Sequence, residues 1–187
     1  VLLPEVNDEV LVCFEHGDER GLPRAEAGEC GFHREGVDHE DLPLDGASLE
    51  DGGLDQEDEL LAELDVVVSS VHSKLRSDSE TMTHRMVGGI ANPRTNILGH
   101  CTGRLIQGER GLRPQSVFDA EVVFEACRTF NVAVEINSRP ERRDPPTRLL
   151  KMAMEMDCLF SIDTDAHAPG QLAFQIYGCQ RAEELGL

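Results

Sequence analysis

Histidine and carboxylate side chains recur in the second half of the chain at intervals of about 30 residues, which is the length of one βα unit. They follow four short apolar runs, in the order His72, His100, Glu135 with Asn137, and Asp163 with Asp165 and His167. Imidazole nitrogens and carboxylate oxygens are the ligands that Zn²⁺, Mn²⁺ and Fe take from proteins. The pattern predicts one shared metal site, for which the best candidate ligands are His72, His100, Asp165 and His167.

Neighbouring residues of similar chemistry fit other roles. Glu135 fits either a ligand or a carboxylate that orients a ligating histidine. His84 lies within a predicted helix and is expected on the surface. Cys101 is expected to be a small buried residue of the turn after His100, and not a soft ligand.

Basic residues follow the same strand ends, in a segment that is otherwise acidic. Arg104 and Arg139 each come four residues after a residue of the candidate site, and Lys74 follows His72. A guanidinium group binds two phosphate oxygens at once, so these three residues are predicted to contact a phosphate group. Three further arginines are expected to form only a solvated loop and helix face: Arg142, Arg143 and Arg148.

Helix and strand patterns alternate four times after residue 55 and place the candidate site residues at the strand ends. The predicted helices are 55–64, 79–90, 116–130 and 144–156, and the predicted strands are 66–71, 96–99, 132–136 and 158–162. Asp144 is expected to cap the fourth helix, which would open with two prolines. Such alternation favours an α/β fold with a parallel sheet, either open or closed into a barrel, of which four units make about half. Because the carboxyl ends of parallel strands share one edge, the candidate residues should converge there.

The acidic residues are distributed unevenly along the chain. The net charge is −19, yet residues 1–65 carry 21 acidic and only 3 basic side chains. Residues 1–45 lack sustained periodicity apart from a possible strand at 11–14, so we predict an acidic, poorly ordered or aberrant segment. Residues 46–187 are predicted to form the α/β portion.

Composition excludes several classes of protein. Six cysteines without a CxxC pair predict reduced thiols and a cytoplasmic location. The chain has neither a signal-like start nor an apolar run of about 18 residues, which argues against a membrane protein. The acidic balance and the absence of tryptophan argue against a broad nucleic-acid-binding surface.

Four ordered motifs resemble the later motifs of the PHP (polymerase and histidinol phosphatase) domain. They are Ser69-Ser70-Val71-His72-Ser73, Ile97-Leu98-Gly99-His100-Cys101-Thr102-Gly103-Arg104-Leu105, Val134-Glu135-Ile136-Asn137-Ser138 and Asp163-Thr164-Asp165-Ala166-His167. The similarity covers about residues 50–187. It is greatest to bacterial stand-alone phosphoesterases and to the C-terminal domain of family X DNA polymerases.

This resemblance implies a distorted (β/α)7 TIM-like barrel, complete or partial, with a cluster of up to three Zn, Mn or Fe ions that hydrolyses phosphoesters. His72, His100, Asp165 and His167 fall on metal ligands of the family. The substrate would be a phosphorylated small molecule, a nucleotide or a DNA end.

The N-terminal part departs from the family pattern. The family has an HxH pair before the matched motifs, and the sequence contains no HxH. Without the family's opening strands, the strand at 66–71 is expected to form an unpaired parallel edge. The missing pair motivates an alternative function, a catalytically degenerate PHP-like module with a structural or partner-binding role. A third reading, an amidohydrolase-type barrel acting on C–N bonds, uses similar ligands but explains the strand-end arginines less well.

Overall fold

A computed structural model of the chain describes residues 10–15, 53, 54, 56, 58–62, 64–108 and 111–187. The predictions for residues 1–9 and 16–52 lie outside the described residues. The elements in chain order are β1 Val10–Glu15, α1 Asp58–Leu61, β2 Val66–Val71, α2 Ser79–Ala91, β3 Ile97–Leu98, α3 Ala120–Phe130, β4 Ala133–Asn137, α4 Thr147–Glu155, β5 Phe160–Asp163, a 3-10 helix Pro169–Phe174 and α5 Gln175–Leu185.

The described strands form one sheet in the order β1-β2-β3-β4-β5. Strands β2 to β5 are parallel neighbours and alternate with helices, which confirms the predicted α/β arrangement. This arrangement is compatible with a TIM-like fold, and closure into a barrel stays a prediction. The expected unpaired edge at β2 is wrong, because β1 pairs with it antiparallel, Val10 lying opposite Val71 and Glu15 opposite Val66. Since the N–H and C=O groups of an edge strand can bond to an extended segment of either direction, a non-parallel strand suffices to cover it.

Helices α2, α3 and α4 pack on one face of the sheet and form the main core with it. Its buried side chains include Met82 and Met86 of α2, Phe124 of α3, and Leu98 and Val134 of the strands. Helix α5 extends this layer, where Ala182 packs in a second cluster with Ile136 and Leu150. The apolar residues that recur at helical spacing in the sequence therefore form the surface that packs against the sheet.

The other face of the strands carries polar side chains. Because strand side chains alternate, Glu135 and Asn137 of β4 lie opposite to Val134 and Ile136. Both polar residues are buried, at 3% and 1% exposure. A buried carboxyl group at a strand end needs bonded partners, and these define the candidate site described below.

Asp144 does not cap helix α4 as predicted. Its carboxylate accepts hydrogen bonds from the Thr102 N–H (3.2 Å) and hydroxyl (2.8 Å), and the side chain is fully buried. Helix α4 begins at Thr147 after Pro146 without a side-chain cap. Asp144 therefore bonds to Thr102 in the turn after β3 and not to the first turn of α4.

Two predicted boundaries shift for similar reasons. Helix α3 begins at Ala120 and not at Ser116, because Asp119 caps it by accepting from the Val122 N–H, while the Ser116 hydroxyl donates to the Leu75 carbonyl. Strand β5 begins at Phe160 and not at Cys158, whose N–H bonds back to the Ala153 carbonyl at the end of α4. Nearby bonding partners thus shorten both elements.

Four cysteines have described side chains, and none of these is in a disulfide: Cys101, Cys127, Cys158 and Cys179. Burial raises the pKa of the first three thiols, to about 11 for Cys158, so they pack as small neutral side chains. Among the described helices, none has the length and apolar character needed to cross a bilayer.

Gly99 lies where β2, β3 and β4 approach closely, and we expect Gly99→Ala to destabilise the protein. A Cβ atom there would collide with Ser70 Oγ and would lie 2.8 Å from Val68 Cγ1. Overpacking of this kind costs about 1–3 kcal/mol in the free energy of unfolding, which urea denaturation measures. Gly170→Ala is the matched control, because a Cβ atom there meets nothing within 4 Å. Equal stability of the two variants would contradict the close packing at Gly99.

Candidate functional site

The carboxyl ends of the parallel strands bring the candidate residues to one edge of the sheet. His72 directly follows β2 and His100 lies two residues beyond β3, and their ring centroids are 4.9 Å apart with a tilt of 58°. The segment after β4 contributes Arg139 and Arg142. The turn after β5 contributes Asp165 and His167, with Asp165 at a φ of 50° in the left-handed region that Asp tolerates better than most residues.

His72 and His100 are neutral, and each ring carries one nitrogen without a partner. Burial, followed by the positive charge of Arg142, lowers the pKa of His72 to about 4. The same two causes, in the same order, lower the pKa of His100 well below its usual value. Within the described part of the chain, Nε2 of His72 and Nδ1 of His100 are buried without a hydrogen-bond partner. Neutral imidazoles with such nitrogens retain the lone pairs that a ligand or a proton would use.

Glu135 positions His100 through the backbone. Its carboxyl group accepts from the His100 N–H and from Nδ2 of Asn137 (3.0 Å), whose Oδ1 in turn accepts from the Arg139 N–H (3.0 Å). Burial, and then the negative charges of Asp163 and Asp165, raise the pKa of Glu135 well above its usual value. The described hydrogen bond to Glu135 thus holds the backbone of the turn that carries His100 and not the imidazole ring.

Asp165 is held by two buried arginines. Nε of Arg142 donates to Oδ2 of Asp165 at 2.7 Å, and NH1 of Arg139 lies 3.7 Å from the same oxygen. NH1 of Arg139 also donates to the Asp165 carbonyl at 2.8 Å. The prediction that Arg142 is a solvated loop residue is therefore wrong, whereas Arg143 and Arg148 are exposed as expected.

His167 joins the same network through Arg139. Its Nδ1 lies 2.9 Å from NH1 of Arg139 and 2.8 Å from the Asp165 carbonyl, and its side chain is 44% exposed. The His167 N–H donates to Oε1 of Gln171 at 2.7 Å, which anchors the turn to the following 3-10 helix. His167 is thus the most exposed of the four candidate ligands.

The remaining predicted phosphate contacts lie further out. Nε of Arg104 donates to the Arg142 carbonyl at 3.0 Å, and its NH2 donates to the Arg143 carbonyl. Arg104 thus braces the loop that carries Arg142. Lys74 is exposed in the turn after His72, with a φ of 45°.

Sequence reasoning missed the roles of Arg142 and Asp144. Arg142 pairs with Asp165, while Asp144 ties the loop after β4 to Thr102, and Arg181 of α5 donates to the Asp144 and Pro145 carbonyls. A run of charged residues before two prolines is typical of a solvated loop. The one usable signal was the position of this run, directly after a strand end of the candidate site.

The donor set fits a divalent metal ion in its chemistry but not fully in its arrangement. His72 and His100 offer unpartnered nitrogens, and histidine with carboxylate suits Zn²⁺ or Mn²⁺. Asp165 and His167 lie in the same cluster but contact arginines. Among the described residues, no group of three or more His, Cys, Asp or Glu side chains is arranged to hold a metal ion.

The fold and the edge cluster define an α/β protein with a buried histidine, carboxylate and arginine network at the carboxyl ends of its parallel strands. No family model matches the chain. Among known proteins, the chain is 37% identical over 119 residues to the DNA polymerase/3'-5' exonuclease PolX of Bacillus subtilis, which covers 64% of this chain and 20% of that protein.

Proteins named probable phosphatases are also similar to the chain. The one from Thermoanaerobacter sp. (strain X514) is 28% identical over 127 residues, covering 63% of this chain and 48% of that protein. The one from Shewanella amazonensis is 27% identical over 141 residues, covering 71% and 51%. The chain therefore spans about a fifth of the polymerase and about half of each of these phosphatases.

Proposed function

We propose that the chain is a PHP-type phosphoesterase that hydrolyses a phosphate ester with the help of divalent metal ions, Zn²⁺ or Mn²⁺. The observation that carries the proposal is the close pair of His72 and His100, each with one buried ring nitrogen that lacks a partner, at the sheet edge that also carries Asp165 and His167. Similar proteins named probable phosphatases support the reaction class. The substrate class is a phosphorylated small molecule, a nucleotide or a DNA end.

Two groups of residues have separate proposed roles: one binds the metal ions and the other supplies positive charge to the phosphate group. His72, His100, Asp165 and His167 are the proposed metal ligands, and Glu135 holds the His100 backbone in place. A bound divalent ion would lower the pKa of a water molecule and draw charge from the phosphoryl oxygens. Arg139, Arg104 and Lys74 are the proposed sources of positive charge for a phosphate group, and Arg104 also braces the Arg142 loop.

A degenerate PHP-like module with a binding role is the second candidate. It is favoured by the engagement of Asp165 with Arg142. Such a module would keep the fold and the arginine network but would not turn over a phosphoester.

Metal content and activity of the purified chain distinguish these two candidates. We expect two to three ions per chain by elemental analysis, together with hydrolysis of p-nitrophenyl phosphate or its bis ester that a chelator abolishes and Mn²⁺ or Zn²⁺ restores. One ion or none, without hydrolysis, would identify the degenerate module. Hydrolysis that survives the chelator with its rate unchanged would overturn the metal dependence.

A further inference from the structure

Two guanidinium groups contact two of the proposed metal ligands. Arg142 bonds through Nε to the Asp165 carboxylate, and Arg139 approaches His167 Nδ1 and the Asp165 carbonyl. A guanidinium group only donates hydrogen bonds, so Arg142 uses a carboxylate lone pair. His167 Nδ1 lies within hydrogen-bond distance of both Arg139 and the Asp165 carbonyl, so its tautomer determines whether it accepts from the first or donates to the second. Two of the four proposed ligands thus contact cations of the chain, while one buried nitrogen each of His72 and His100 lacks a partner.

We propose that Arg142 is a tethered cation that competes with the divalent metal ion for the Asp165 carboxylate, so that metal binding requires the Arg142–Asp165 ion pair to open. This inference rests on the metal site of the proposed function. It assigns to Arg142 a positioning role that its sequence context does not suggest.

Because the Arg142–Asp165 pair is buried, the Asp165 carboxylate needs a positive charge beside it. The Arg142 and Asp165 side chains are only 6% and 7% exposed. A buried carboxylate without a counter-charge is strongly unfavourable, and Arg142 supplies that charge until another cation does. A divalent ion entering beside the guanidinium would meet its repulsion, and this repulsion weakens metal binding.

Arg142 is better placed for this role than Arg139. Nε of Arg142 is 2.7 Å from Oδ2 of Asp165, whereas NH1 of Arg139 is 3.7 Å from it. Arg139 is also held by the Asp165 carbonyl and lies with its Nε 3.4 Å from Oε2 of Glu141. Arg104 contacts the carbonyls of Arg142 and Arg143, so the backbone of the Arg142 loop is braced and only its side chain needs to swing away.

Calorimetric titration of the full chain with MnCl₂ tests the competition. Arg142→Gln removes the charge but keeps a polar side chain, and we expect its Kd for Mn²⁺ to be lower than that of the unmodified chain by about tenfold or more. The matched control is Arg143→Gln, which removes an exposed charge next to it and should leave the Kd within about twofold. A merely structural role of Arg142 predicts weaker metal binding after its loss, the opposite sign.

A Kd that is unchanged or higher in folded Arg142→Gln overturns the inference and leaves the metal site standing. If neither the unmodified chain nor the variant binds Mn²⁺, both the metal site and the inference fall. Should circular dichroism show that Arg142→Gln is unfolded, Arg142→Lys is titrated instead. Lysine retains the charge but loses the planar fork, so we expect binding about threefold tighter than in the unmodified chain, and equal or weaker binding overturns the inference.

Discussion

Replacing His167 by alanine is expected to remove most of the bound metal and to lower the phosphoesterase rate by about 100-fold or more. Even residues that only orient metal ligands are worth about 10- to 100-fold in metal affinity or rate, so a proposed direct ligand should be worth at least as much. His167 is 44% exposed, and its described side-chain contacts are confined to Arg139 and to Asp165 of its own turn. Its loss should therefore leave the fold largely intact, as measured by circular dichroism and thermal melting.

The matched control for this experiment is His84→Ala. His84 lies exposed on helix α2, away from the strand ends, and should change neither the metal content nor the rate. Elemental analysis and turnover of p-nitrophenyl phosphate are measured on both variants. Equal losses in the two variants, or no loss in either, would show that the wrong histidines were assigned to the site.

Asp144→Ala is expected to have the largest effect on stability. The carboxylate is fully buried and accepts two hydrogen bonds from Thr102. Burial raises its pKa, while the Thr102 bonds and the positive charges of Arg104 and Arg142 oppose that rise. Removing it leaves the Thr102 N–H and hydroxyl without this acceptor and both arginines without this counter-charge. Leaving the buried N–H and hydroxyl groups of Thr102 unsatisfied costs about 1–3 kcal/mol for each group in the free energy of unfolding.

Asp144→Asn separates hydrogen bonding from charge. The amide keeps the shape, an acceptor for the Thr102 N–H and a donor for its hydroxyl, so the loss should be clearly smaller than for alanine. Glu155→Ala, at an exposed position at the end of α4, should stay within about 0.5 kcal/mol. Urea denaturation measures all three variants. A loss for Asp144→Ala no greater than that for Glu155→Ala would refute the structural role of the Thr102 contact.

The sequence by itself determined the alternation of helices and strands. Strand β2 was predicted with its observed bounds, and helix α2 to within one residue. Apolar periodicity is a local property that survives into the core, where Met82 and Met86 of α2 lie buried at helical spacing. Because β2 to β5 are parallel, the order of the strands also determined that His72, His100, Asp165 and His167 follow strand ends at one edge.

Only the tertiary structure decided which charged residues are buried and what they bind. Arg142 and Arg143 are adjacent and chemically identical, yet Arg142 is buried against Asp165, 23 residues later, while Arg143 is exposed. Asp144 had the sequence context of a helix cap but bonds to Thr102, 42 residues earlier. The antiparallel pairing of β1 with β2 is likewise a contact between distant segments. Local patterns cannot determine such pairings, because the energy of a buried charge depends on partners that the chain brings together only when it folds.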